Sequence, residues 1–322
     1  MIASQLNSKY IIQHYYLIRV IVRQMNKLIT LALRLGNTLN LLIETCISLI
    51  RVVVFTRKSS HLPIRQQAHC SILGNGPSLR ETLQDDLAFL KTTELICVNN
   101  FVASDSYEVL KPSNYILFDA IFFELDHLNA HREDVKAMVQ GIRNRTTWPM
   151  NLYVTQKAKK SPYFQEILQH NPNLKAIYCN YTIFTGFESI KYWFFKMGWG
   201  MPQIQNVMVA ALFLMIGRRF EKIYLFGADH SWHENIRVGD DGGLEAKDVH
   251  FYDKTEKQFV KFNEIKHFNV PSMSQQFVSL SKAFYGYEVL AKYAKKNNVL
   301  VLNASKKSYV DAFPKIKLEH KL

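Results

Sequence analysis

Four short stretches carry residues able to grip a phosphorylated ligand: Gly74-Asn75-Gly76-Pro77-Ser78, Asn99-Asn100, Asp119 and Asp229-His230. Glycines allow close backbone approach, and a helix begun at Pro77-Ser78 would aim free N–H groups at an anion. A phosphate or pyrophosphate fits such a turn. The amides of Asn75, Asn99 and Asn100 can read the donor and acceptor edge of a base or ribose. The pattern points to a nucleotide consumed in a reaction. A dinucleotide fingerprint would add a third glycine and an acid closing the second strand, and a P-loop would add Gly-Lys-Ser/Thr; the sequence has neither here. The plainer alternative is that these residues only cap turns.

Histidines supply the proton chemistry, because imidazole titrates near working pH. His230 and His233 stand with Asp229 and Glu234 in "GADHSWHEN". Their spacing of three differs from the four of a zinc-binding helix, and Asp240-Asp241 lacks a D-x-D form, so no metal site is expected. Ordinary hydrogen-bonded loop histidines remain the alternative.

The elements that must position these residues show in the hydropathy pattern. Seven short apolar runs begin or end at His69 to Leu73, Leu95 to Val98, Tyr115 to Phe118, Leu152 to Thr155, Ala176 to Cys179, Lys222 to Phe226 and Val299 to Leu302. They alternate with helical stretches such as Phe122 to Ile142, Met208 to Gly217 and Ser279 to Asn297. This predicts an α/β fold, a doubly wound and mostly parallel sheet with helices on both faces. Ligands in such sheets sit beyond the carboxyl ends of the strands, where the residues above fall. Residues 231–275, glycine-rich, charged and without clear periodicity, read as a lid. The division expected is a basic amphipathic helical segment over 1–58, a linker over 59–68 and one domain over 69–322.

The net charge of +13 is uneven: residues 1–69 carry +8, residues 291–322 carry +6 and the middle is near neutral. Basic ends beside a neutral domain suit an anionic surface more than a nucleic-acid channel. In the segment Tyr10 to Phe55, Arg19, Arg23, Lys27, Arg34 and Arg51 form a narrow basic stripe beside a broad apolar face. Those charges argue against a membrane span, so the expected form is a helix broken near Gly36-Asn37 and lying among lipid headgroups. A helical hairpin packed on the domain or on a second subunit is the alternative. Cys46, Cys70, Cys97 and Cys179 form no C-x-x-C pair and no secretory signal is evident, which predicts a cytoplasmic chain attached peripherally to the inner membrane.

Four motifs, "ILGNGPSL", "CVNNF", "ILFDAIFF" and "NVMVAALFLMIGRRFEKIYLFGADHSW", are similar in order and type to those of bacterial sialyltransferases of glycosyltransferase family 42. The same domain recurs in motility-associated flagellin glycosyltransferases and in 6-hydroxymethylpterin diphosphokinases. The resemblance spans roughly residues 69–313 and implies a Rossmann-like domain with a lid, a CMP-sugar donor and metal-independent inverting transfer, with no further cofactor. By position it assigns Asn75, Asn99 or Asn100, Asp119, Gln205 and Asn206 to the nucleotide, joining Gly74, Gly76, Ser78 and Asp229 from the turn and strand ends above. In "HFYDK" it assigns support of the leaving phosphate to Tyr252 or His250. The family's catalytic histidine would fall within Met273–Val278, which holds none; His250, His230, His267 and His233 are the substitutes.

Together these readings give a glycosyltransferase that moves a sialic-acid-like or Kdo-like sugar from CMP to a surface glycan or lipid-linked acceptor. A pterin diphosphokinase-like enzyme using ATP and Mg²⁺ and a non-catalytic scaffold are the two rivals.

Overall fold

The computed structural model describes residues 2–124, 132–262 and 271–318, with backbone alone for 2–18, 20 and 21. His267 lies outside the described residues. Seven strands form one parallel sheet: β1 (His69–Leu73), β2 (Glu94–Val98), β3 (Asn114–Leu117), β4 (Met150–Thr155), β5 (Leu174–Cys179), β6 (Lys222–Phe226) and β10 (Leu300–Asn303). Their order is β10-β6-β1-β2-β3-β4-β5, so each apolar run of the sequence is a strand. Burial explains the run-like pattern. All five residues of β2 and all four of β3 are buried, because helices cover both faces and leave no solvent side to encode as alternation.

One face is covered by α8 (Val207–Gly217) and α9 (Met273–Lys296), the other by α2 (Leu79–Asp85), α3 (Leu87–Leu90), α4 (Ser106–Leu110), α5 (Glu133–Arg145) and α6 (Pro162–His170). Helix α8 is apolar all round and nine of its residues are buried, the signature of a central helix. Asn206 caps it, its Oδ1 accepting from Val209 N at 3.1 Å. Helix α9 starts in a capping box, with Ser272 and Gln275 each accepting from the other's backbone. The chain leaves β1 toward β2 on one side and meets β6 on the other, so β1 and β6 flank the topological switch point.

The segment read as a lid holds a small antiparallel sheet in the order β7-β8-β9, from β7 (Ile236–Val238), β8 (Leu244–Ala246) and β9 (Val260–Lys261). The linker is tied to the domain: Ser60 N donates to Tyr178 O at 2.8 Å, and Arg218 donates to Pro63 O and Ile64 O.

The N-terminal helix corrects two expectations. Helix α1 (Ile2–Phe55) runs through Gly36-Asn37 without a break. One glycine costs a helix only about 1 kcal/mol relative to alanine, and the good helix formers around it carry the turn. Over Val22–Phe55 the helix is long and apolar enough to cross a membrane by length and composition. The charges of that window are too few to rule out a span, contrary to the sequence-based argument. Among the described side chains of α1, those of the last turns dock. Ser48 Oγ accepts from Thr185 N at 2.9 Å and Thr45 Oγ1 from Phe187 N at 3.0 Å, while residues 22–43 are exposed. Gly186 (φ +103°) is required there, since a Cβ would stand 2.1 Å from Thr45 Oγ1.

Candidate functional site

Beyond the carboxyl ends of the strands lies a cavity of about 730 Å³. Asn75 and Gly76 follow β1, Asn99 follows β2, Asp119 follows β3, and Asp229 and His230 follow β6; all six line it. Gln205 and Asn206 join them from the start of α8, and His250 from the segment between β8 and β9. This collects most of the residues singled out in the sequence. Two cations, Lys157 and Lys247, are also in the wall.

Four buried polar atoms here have no hydrogen-bond partner among the described residues: Asn75 Oδ1, Asn99 Oδ1, Thr155 Oγ1 and Asn206 Nδ2. Their residues all line this cavity, and they come from four different elements. An unpaired buried polar group costs about 1–3 kcal/mol. Four around one hollow are a cost that a polar ligand would relieve. Asn75 and Asn99 are otherwise fixed by bonds to the surrounding backbone and side chains. Asn75 Nδ2 donates to Val98 O at 3.1 Å, and Asn75 O accepts from Phe251 N at 3.1 Å. Asn99 adopts a left-handed conformation (φ +46°), its carbonyl accepting from Tyr115 Oη at 2.5 Å.

The turn after β1 does different work from that expected. Ser78 N donates to Asp229 Oδ2 at 2.9 Å and Ser78 Oγ to Asp229 Oδ1 at 2.6 Å. The amide of Ser78, the N-cap of α2, offered by the sequence to a phosphate, is therefore occupied by the protein's own carboxylate. The glycines serve that packing. A Cβ on Gly76 would lie 2.4 Å from Asp229 Oδ1, and one on Gly74 2.5 Å from Gly227 O. Ser78 and Gly74 are not in the cavity wall. Burial raises the Asp229 carboxyl above the ordinary carboxylate range, opposed by its two bonds from Ser78.

Asn99 and Asn100 part company. Asn99 faces the cavity, whereas Asn100 pairs with the hydroxyl of Tyr252. Burial pushes the Tyr252 hydroxyl up, so it stays a donor, but it lies in a shallower neighbouring hollow with Arg80 and Lys254. His250 stacks on the Tyr252 ring at 5.0 Å and 7° and does reach the main cavity. Its Nε2 is 3.7 Å from Asp248 Oδ1 and its Nδ1 3.9 Å from Asp253 Oδ2. His233 packs edge-on against Tyr309, away from the wall.

No protein-family model matches the sequence, and no curated protein matches it. One similar solved structure is titled "Structure of MAf glycosyltransferase from Magnetospirillum magneticum AMB-1". It shares 12% identity at a TM-score of 0.44, over 86% of this chain and 39% of its own. The chain thus spans well under half the length of that protein.

His230 is held in a chain of three side chains that sequence reasoning did not find. Its Nε2 is 2.5 Å from Tyr287 Oη, and Tyr287 Oη donates to Asn206 Oδ1 at 3.3 Å. The tyrosine has one proton, so His230 Nε2 must be the donor to it, leaving Nδ1 as the lone-pair nitrogen. The ring stacks on Trp232 at 4.4 Å and 14°, which holds its left-handed backbone (φ +52°). Burial lowers the imidazole to about 3, so it is neutral at working pH and acts as a hydrogen-bonding group more readily than as a base. The unfolded chain takes up that proton near pH 6.5 and the folded one does not, so stability falls as pH drops below about 6.5. The expected loss is on the order of 2 kcal/mol by pH 5, at about 1.4 kcal/mol per unit. Asp229, its carboxyl raised by burial, works in the opposite sense. Thermal unfolding at pH 7.0, 6.0 and 5.0 checks this: the wild-type midpoint falls, and His230→Gln flattens the dependence.

Thr155, Lys157, Asn180 and Tyr181 were also missed. Thr155 closes β4, Lys157 follows it, and Asn180 and Tyr181 follow β5, so the strand-end rule applied to every strand would have found them.

Proposed function

We propose that the chain is a glycosyltransferase that uses a nucleotide-activated sugar, with a CMP-linked sialic-acid-like or Kdo-like sugar as donor. The observation that carries this is the set of unpaired atoms on Asn75, Asn99, Thr155 and Asn206 around one cavity at the switch point. A nucleotide base and ribose offer several donors and acceptors at that scale, and a volume of about 730 Å³ lies in the range of small-ligand pockets. Lys247 supplies positive charge for a phosphate, with Lys157, whose Nζ pairs with Glu124 Oε1 at 2.6 Å, beside it, and without the glycine-lysine loop of a triphosphate enzyme. The motif resemblance to family 42 supports the CMP donor.

His250 is the base in this reading, because it combines access to the cavity with two carboxylates near its ring nitrogens. It takes the proton of the acceptor hydroxyl as that oxygen bonds to the anomeric carbon. The bond from carbon to phosphate oxygen breaks on the opposite face, and CMP leaves with the electron pair and inversion at carbon. Lys247 and Lys157 stabilise the departing phosphate. His230, neutral and fixed by Tyr287, orients Asn206 toward the nucleotide. The acceptor is a glycan or glycolipid, and α1 holds the enzyme at the cytoplasmic side of a membrane.

Thermal shift with CMP, CDP, UDP and ATP plus Mg²⁺ tests the donor class. CMP at 100 times its Kd should stabilise the fold by about 2.7 kcal/mol, and the other three less. A shift with ATP and Mg²⁺ alone would favour a diphosphokinase, and none with any nucleotide a scaffold.

A further inference from the structure

We propose that the catalytic domain rests on an anionic lipid bilayer through an aromatic edge of its own, made by Trp193, Met197 and Trp199 beside the end of α1. The proposal deepens the membrane reading of α1 and rests on it. Trp193 lies in α7 (Glu188–Lys196), and Met197 and Trp199 follow directly. The indoles are 52% and 41% exposed and Met197 is 45% exposed.

Their position is fixed by hydrogen bonds at both ends of the patch. Phe187 N, just before α7, donates to Thr45 Oγ1 at 3.0 Å, and Thr56 Oγ1 donates to Trp199 O at 3.0 Å. Helix α7 therefore runs alongside the last turns of α1. The apolar residues Ile50, Val53, Val54 and Phe55 of those turns are exposed as well.

The rings are held rigidly from within. Trp193 meets Phe194 edge-on at 4.9 Å and Trp199 edge-on at 5.9 Å, while Phe194 stacks on Phe184 at 4.5 Å. Neither indole N–H has a hydrogen-bond partner among the described residues, which suits a ring whose apolar body enters the acyl boundary while its N–H meets headgroups.

Two features favour a bilayer over a second copy of the chain as occupant. The apolar surface continues along α1 for a membrane's length, with Val22–Phe55 meeting the criterion for a span. The chain on either side of the patch also carries Arg51, Arg57, Lys58 and Lys196 against Glu188, a net charge of the sign that anionic headgroups attract. The consequence is functional. Phe55, the last residue of α1, is also part of the cavity wall, so the mouth of the cavity opens at the lipid surface, where a lipid-borne acceptor can enter.

The test uses the full chain with phosphatidylglycerol/phosphatidylcholine vesicles, half of the lipid brominated on the acyl chain. Bromine quenches tryptophan emission at contact, and Trp148 and Trp232 serve as the internal reference. The expected result is clear quenching of the wild type, with Trp193→Phe/Trp199→Phe losing at least half of it while still pelleting with vesicles through α1. Equal fractional quenching in the double variant, or pelleting without quenching, overturns the aromatic edge alone. A dimer in sedimentation whose tryptophans stay unquenched also overturns it and makes the patch an interface between copies. No pelleting overturns the membrane reading of α1 as well, and leaves the nucleotide titration standing.

Discussion

Replacing Arg218 with alanine is expected to lower the midpoint of thermal unfolding by about 10 °C, measured by calorimetry in mild detergent. Arg218 follows α8 and forms a buried ion pair with Glu94 at 2.5 Å, the side chains being 1% and 4% exposed. Glu94 also accepts from Asn114 Nδ2 at 2.9 Å and from Gln66 N at 2.9 Å, and Arg218 Nη1 donates to Asn114 Oδ1 at 3.0 Å. The pair joins β2, β3, α8 and the linker at the amino-terminal edge of the sheet, opposite the cavity. Removing one partner of such a pair costs about 3–5 kcal/mol, because the other charge stays buried without compensation. At roughly 2–4 °C per kcal/mol for a domain of this size, that gives the shift stated. The double variant Glu94→Gln/Arg218→Met removes both charges and should recover most of the loss. A single-variant shift below 3 °C would mean that water reaches Glu94.

The sheet was legible because parallel strands buried on both faces leave continuous apolar runs, which neighbouring polar turns delimit. His69–Leu73 and Lys222–Phe226 are strands with the same bounds as their runs. The site was legible in part, since the strand-end rule locates residues without saying what they touch. Asn75, Asn99 and Asn206 reach the cavity. Ser78 and Asp229, read as ligand groups, pair with each other across 151 positions, a contact that no local pattern encodes. Tyr287 lay hidden for the same reason: within α9 it reads as one more core aromatic, and only the fold brings it to His230. The unbroken course of α1 escaped notice because a glycine weighs heavily in a sequence pattern and lightly in a helix of 54 residues.

The second large effect concerns binding. Asn75→Ala removes an unpaired acceptor from the cavity, and Asn206→Ser removes the unpaired Nδ2 while keeping a hydroxyl to cap α8. Each lost ligand hydrogen bond is worth about 1.4 kcal/mol, or tenfold in Kd. The double variant should bind CMP about 100-fold more weakly than the wild type, since the two residues share no contact and their effects add. It should also melt a few degrees lower, from the lost bond to Val98 O, the lost acceptor for the Tyr287 hydroxyl and a weaker cap.

Isothermal titration of CMP into the wild-type chain and into Asn75→Ala/Asn206→Ser puts the main idea to the test, that amides at the sheet edge hold a nucleoside monophosphate. The account predicts saturable one-site binding by the wild type and a Kd about 100-fold higher for the variant. Equal affinity in the two proteins, or no heat of binding in either while both remain folded, would contradict it.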